Sequence, residues 1–246
     1  MAVTTPERTD RLGKAARTPT KADKTRPANP LLQAGDHLSR AEFERRYAAM
    51  PGVKKAELIE GIVYMPSPVY IHHGEPHANV MGWLFGYKLA TPGVRLADNT
   101  SVRLDFDNEV QPDAILFRDA GHGGQCRVSV EGFIVGSPEL VIEVASSTVS
   151  FDMNTKLRVY RRNGVPEYLV LLAQEERAVW HVLTEGEYRV MEPDEQGTLR
   201  SQVFPGLWLH PEHFWAGNLP GLMTVLHAGL ASPEHAAFVA ELAATS

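Results

Sequence analysis

A chain of 246 residues is long enough for one sizeable core with appendages, and 43% hydrophobic with 22% charged residues is ordinary globular composition. No stretch approaches the ~20 consecutive apolar residues of a membrane span, which excludes a transmembrane helix. The single cysteine, Cys126, excludes an internal disulfide; without an apolar secretion core at the N-terminus, a reducing cytoplasm is the expected compartment.

The net charge of −6 is unevenly spread. Residues 1–30 carry Arg8, Arg11, Lys14, Arg17, Lys21, Lys24 and Arg26 against Glu7, Asp10 and Asp23, a net of +4, so residues 31–246 carry −10. With almost nothing to bury, residues 1–30 are expected to be a disordered basic tail. Both a solvated tail and a loose electrostatic arm for nucleic acid fit it.

In chain order, Ser39-Arg40-Ala41-Glu42 fits a capping box that opens a helix running to about Met50. Ala56–Ile59 and Ile62–Met65 flank Glu60-Gly61 and predict a hairpin. A helix is expected from near Pro76, through Val80, Leu84 and Tyr87, to the stop at Thr91-Pro92-Gly93. Strands follow over Val94–Leu104 and Ala114–Phe117, with a polar turn between. Pro138–Ala145, reading PELVIEVA, is an unbroken apolar run of the kind that marks a strand covered on both faces. Ser150 can cap a helix from Phe151 to about Asn163, closed by Gly164 with Pro166 beyond. Tyr168–Leu172, Ala178–Leu183 and Tyr188–Met191 read as antiparallel strands, the last pair joined at Glu185-Gly186-Glu187. From His210 onward, Leu222, Val225, Leu226 and Leu230 share a helix face, and Ser232-Pro233-Glu234 opens a last helix. The division is therefore a tail over 1–30, a main domain over 31–209 and a helical appendage over 210–246.

Glu143 sits poorly in its apolar strand, because an unpaired buried carboxylate costs several kcal/mol or more. Asp113 stands at the entrance of the Ala114–Phe117 strand. Two carboxylates on neighbouring strands repel unless a hard divalent cation lies between them, and Mg²⁺ is held by one or two carboxylates plus water and phosphate oxygens. On the following helix Met153, Leu157 and Tyr160 form an apolar stripe; Lys156 lies about 40° from Tyr160 on its flank, where its stem can follow the sheet toward the acids. Bland readings stand beside these. Asp113 fits a turn cap, Glu143 an ion pair with Arg158 or Arg161, Asp152 and Lys156 an exposed pair worth ~0.3 to 0.5 kcal/mol, and Glu57 the polar face of a hairpin. His73 and His77 are four apart, but Gly74 and Pro76 spoil a continuous turn between them and argue against zinc.

The stretches Glu57–Gly61, Pro66-Ser67-Pro68, Pro112-Asp113, Pro138–Val144, Asp152 with Lys156, and Asn163–Tyr168 resemble the bacterial restriction endonuclease domain proteins of the PD-(D/E)XK nuclease superfamily, over residues 38–208. The resemblance implies an α/β, restriction-endonuclease-like mixed central β-sheet flanked by helices, cutting DNA with Mg²⁺, for which Mn²⁺ substitutes. It makes Asp113 and Glu143 metal ligands with the Val144 carbonyl as third, Lys156 the catalytic lysine and Glu57 a supporting acid. One departure stands out: the superfamily places lysine two residues after the glutamate, and here that slot is Ala145. The other reading is accordingly a catalytically inactive module of the same fold that binds nucleic acid or protein. Enzymes that cut both strands often act as dimers, so a homodimer is carried as an expectation without an interface signal.

Overall fold

The computed structural model of the protein describes Met1 and residues 30–65 and 68–245. The expected tail over 1–30, apart from Met1 and Pro30, and the Pro66-Ser67 part of one motif lie outside the described residues.

In chain order the elements are α1 (Arg40–Ala48), β1 (Glu57–Ile59), β2 (Ile62–Tyr64), α2 (Ile71–Ala90), β3 (Val94–Asp98), β4 (Val102–Arg103), β5 (Glu109–Val110), β6 (Ala114–Arg118), β7 (Arg127–Val128), β8 (Ile134–Val135) and β9 (Leu140–Ala145). A π-helical segment (Phe151–Lys156) runs into α3 (Leu157–Arg162), followed by β10 (Glu167–Leu172), β11 (Arg177–Thr184), β12 (Glu187–Val190), β13 (Leu199–Arg200), β14 (Trp208–Leu209), α4 (Pro211–Trp215), α5 (Leu219–Leu230) and α6 (Pro233–Thr245). The central sheet has the order β12-β11-β10-β9-β6-β3; β9 and β10 are parallel and every other neighbour is antiparallel. A second sheet of short strands, β2-β1-β5-β4-β8-β7, stands beside it. This is the expected mixed sheet flanked by helices.

The apolar run of β9 is explained by cover on both faces. Leu140, Ile142 and Val144 pack with Trp83, Leu84 and Tyr87 of α2, Leu222 and Leu226 of α5, and Phe238 and Leu242 of α6. Val141 and Ala145 turn the other way, toward Val159 and Tyr160 of α3 and Ile59 and Val110 of the second sheet. Since side chains alternate along a strand, Glu143 belongs to this second face. Each large apolar side chain so buried contributes about 1.5–3 kcal/mol, and the C-terminal helices share the main core rather than standing off it.

The β1–β2 and β11–β12 turns each carry two residues at positive φ, Glu60-Gly61 at 52° and 75° and Glu185-Gly186 at 55° and 80°, the backbone of a two-residue turn matched to strand twist. Four local expectations are corrected. The α2 helix starts at Ile71, well before Pro76, which lies inside it; the burial of Val80, Trp83, Leu84 and Tyr87 outweighs one lost backbone hydrogen bond. The span Val94–Leu104 breaks at Asn99, whose φ is 46°, so that β3 joins the central sheet and β4 the second. At α1 the Ser39 hydroxyl accepts from the Glu42 N–H at 3.4 Å, but the Glu42 carboxylate turns to Arg45 and Arg46 rather than closing the box. Ser150 makes no side-chain cap; the Thr148 carbonyl instead takes the Phe151 and Asp152 N–H groups, and the helix opens as a π-turn. Among the described residues no helix is long and apolar enough to cross a membrane.

Candidate active site

Ala114 pairs with Ile142, so Asp113, one residue before β6, comes alongside Glu143 on β9. The Val144 N–H donates to Asp113 Oδ2 at 2.8 Å, tying the two strands through the site itself. Two residues of α2 approach Asp113 from its other side. His73 Nε2 lies 3.0 Å from Oδ2, and His77 Nε2 lies 3.1 Å from the Asp113 carbonyl and 3.0 Å from Asp98 Oδ1. Lys55 Nζ stands 3.5 Å from Oδ1. Burial works against the Asp113 carboxylate, but the His73 hydrogen bond, the Lys55 charge and the Val144 N–H together hold its pKa well below the usual range.

Lys156 ends the π-helical segment and is buried, which an exposed partner of Asp152 would not be. Its Nζ lies 2.8 Å from Glu143 Oε1, 3.2 Å from Glu57 Oε1 and 3.8 Å from Asp152 Oδ1. The Tyr160 hydroxyl, one turn on, also donates to Glu143 Oε1 at 3.0 Å. Both donors use the same oxygen, and Oε2 takes no part in these two bonds. Glu57 is held in turn by the Gln111 N–H at 2.8 Å, and Asp152 by the Thr148 hydroxyl at 2.5 Å. Burial and the nearby acids raise Glu143 to about 8 against the opposing charge of Lys156. Burial disfavours the Lys156 ammonium, yet Glu143, Glu57 and Asp152 hold it protonated.

The structure thus brings Asp113, Glu143, Val144, Lys156 and Glu57 into one cluster. The bland alternatives are corrected on geometry. Glu143 does not pair with Arg158 or Arg161; Arg158 and Arg162 are exposed and Arg161 is half-buried, and the three engage Glu60, Glu187 and Asp105. Glu57 is buried rather than on a solvated hairpin face. Lys55 and Tyr160 enter the cluster without having been assigned to it: Lys55 carries no local signal, and Tyr160 reads as part of an apolar stripe. His73 reaches the cluster from the first turn of a helix that runs on through Pro76, rather than from a loop.

Four carboxylates, Glu57, Asp113, Glu143 and Asp152, share the two ammonium groups of Lys55 and Lys156, and this crowding of acids together with burial is why the Glu143 and Asp152 carboxyls are raised. No group of three or more His, Cys, Asp or Glu side chains among the described residues is arranged to hold a metal ion by itself. Two carboxylates from adjoining strands fit Mg²⁺, which leaves its remaining positions to water and phosphate, and do not fit a zinc cage.

The family model Uma2, described as "Putative restriction endonuclease", matches residues 40–212. The chain belongs to the Uma2 family. A crystal structure described as a "putative nuclease belonging to DUF820 from Anabaena variabilis ATCC 29413" is similar in fold, with a TM-score of 0.53 at 15% identity, over 70% of this chain and 96% of that one. No curated protein matches. All residues of the cluster, from Lys55 to Tyr160, lie within the Uma2 match, whereas α5 and α6 lie beyond it although they share its core.

Proposed function

We propose that the protein is a Mg²⁺-dependent DNA endonuclease, with Mn²⁺ able to substitute, that hydrolyses phosphodiester bonds through a PD-(D/E)XK-type site whose lysine comes from the helix after β9. The observation that carries the reading is the burial of Lys156 against Glu143, beside an Asp113 kept ionised on the neighbouring strand. Ala145 leaves the usual lysine slot empty, and it faces the same side of β9 as Glu143, where Lys156 fills the space.

Asp113 and Glu143 would hold the ion, with the Val144 carbonyl as a third donor. When bound, such an ion lowers the pKa of a coordinated water and neutralises charge on a phosphoryl oxygen. Glu57 and Asp152 hold the Lys156 ammonium in position, and Tyr160 orients Glu143. Lys156 would offset the charge that grows on the scissile phosphate in a site with little water to screen it. Lys55 and His73 keep Asp113 a carboxylate and fix its rotamer.

The test is purified protein with supercoiled plasmid and Mg²⁺ or Mn²⁺, beside Asp113→Ala and Lys156→Ala. The expected result is metal-dependent nicking that both substitutions reduce by orders of magnitude. Cleavage without a divalent ion, or at an unchanged rate in both variants, overturns the reading. Binding of DNA without cleavage by the folded wild type favours the silent module that the Ala145 departure allows.

A further inference from the structure

Over its 20 residues α2 carries only Glu75 and Lys88 as formally charged side chains, and a helix apolar on nearly all sides needs cover on nearly all sides. The core covers Val80, Trp83, Leu84 and Tyr87. The α5 helix covers the side of Gly86, where a Cβ would meet Met223 Cε at 2.9 Å and Leu226 Cδ2 at 3.0 Å. The remaining face, Ile71, Glu75, Ala78, Gly82, Phe85 and Leu89 at helical spacing, is exposed: Ile71 is 68%, Phe85 50% and Leu89 70% accessible. Gly74 and Gly82 have nothing within 4 Å of where a Cβ would stand. Each costs about 1 kcal/mol relative to alanine inside a helix, and the described residues of the single chain contain nothing that needs either.

We infer that this face is a dimer interface, on which α2 of a second copy packs antiparallel across a two-fold axis beside Gly82. The register follows from size and charge. Placing Phe85 opposite the partner's Ala78 sets Leu89 opposite the partner's Gly74, so each large side chain meets a small one and the helices approach closely at Gly82. The same register brings Glu75 level with the partner's Lys88, whose flexible stem can span the gap between their helices. A two-fold pair satisfies both copies at once, since every contact is repeated with the roles exchanged. Phe85, Leu89 and Ile71 supply the large apolar anchors on which association energy concentrates, and the charges at the rim fix orientation. The interface does not depend on the proposed chemistry. With His73 on the first turns of α2, it would set the two candidate sites at opposite ends of the helix pair.

Sedimentation and light scattering of the full chain over a concentration series test the inference. The expected species at high concentration has twice the 27.2 kDa chain mass. Phe85→Glu should raise the dissociation constant at least about tenfold with unchanged circular dichroism. Glu75→Lys and Lys88→Glu should each weaken the dimer, and the double reversal should restore it. Gly82→Cys should cross-link under mild oxidation, because Cys126 is buried and offers no competing thiol. A wild type that remains monomeric throughout overturns the inference, as does a dimer indifferent to Phe85→Glu or one that the double reversal fails to rescue. These readouts do not use DNA cleavage, so their failure is distinct from failure of the nuclease reading.

Discussion

The Val144 main-chain N–H donates to Asp113 Oδ2 at 2.8 Å, so the backbone of the strand that carries Glu143 also orients the acid on the neighbouring strand. The Asp113 carboxylate is therefore positioned by the strand that carries Glu143, whereas Glu143 itself is held by Lys156 and Tyr160 from the helix that follows. A site built on strands holds its geometry more closely than one built on loops.

Lys156→Ala is expected to reduce DNA cleavage by at least about a hundredfold. It also leaves Glu143, Glu57 and Asp152 without their shared cation, and breaking a buried pair costs about 3–5 kcal/mol. Adding Ala145→Lys to this variant should recover part of both losses, because residue 145 faces the same side of β9 as Glu143 and the cavity left by Lys156 is beside it. Urea unfolding and a plasmid assay on the single and double variants check this; a double variant no more stable and no more active than Lys156→Ala defeats the relocated-lysine explanation.

His73 positions Asp113 without a place in the carboxylate set. His73→Ala should weaken Mn²⁺ binding by about 10–100-fold, as loss of a partner behind a metal ligand does, in a protein still folded by circular dichroism. Titration calorimetry or Mn²⁺ paramagnetic resonance reads this directly. An unaltered affinity would remove His73 from the site.

The pH dependence of stability should carry a signature of Glu109. Burial, then the hydrogen bond and charge of Glu44, raise its carboxyl to about 7, against the lowering influence of Arg103. The folded state then holds a proton that the unfolded state, at 4.5, has released. Its stabilising contribution is complete below the unfolded value and is lost as pH rises through about 7. Unfolding free energies from urea titrations should fall between about pH 5 and about pH 8 for the wild type, and fall less, by on the order of 2 kcal/mol, for Glu109→Gln. An equal fall in both proteins refutes the assignment.

Glu167 ties β10 to the chain that leads into the C-terminal helices. Its carboxylate accepts from Trp180 Nε1 at 3.1 Å, the Ser201 hydroxyl at 2.7 Å, and the Gln202 and Val203 N–H groups at 2.7 and 3.2 Å. Glu167→Ala strands the buried Trp180 and Ser201 donors and frees the Gln202 and Val203 N–H groups, and should cost about 3 kcal/mol or more, with metal affinity of the folded protein retained. Differential scanning calorimetry paired with Mn²⁺ titration separates the two effects.

Local chemistry was the legible part. Turns at Glu60-Gly61 and Glu185-Gly186, the doubly covered β9 and the shared face of Leu222 and Leu226 each follow from a few neighbouring residues, because backbone preference and apolar spacing act over one turn or one strand. Asp113, Glu143 and Lys156 stood out as candidates because charge is costly in apolar segments and the spacing of short motifs resembles a nuclease family. Tertiary structure alone decided that Glu57 is buried, that α2 passes through Pro76 to bring His73 onto Asp113, that Lys55 joins them, and that the three α3 arginines stay outside. Those outcomes turn on which face of a strand or helix is covered by elements distant in the chain, and no local preference encodes that cover.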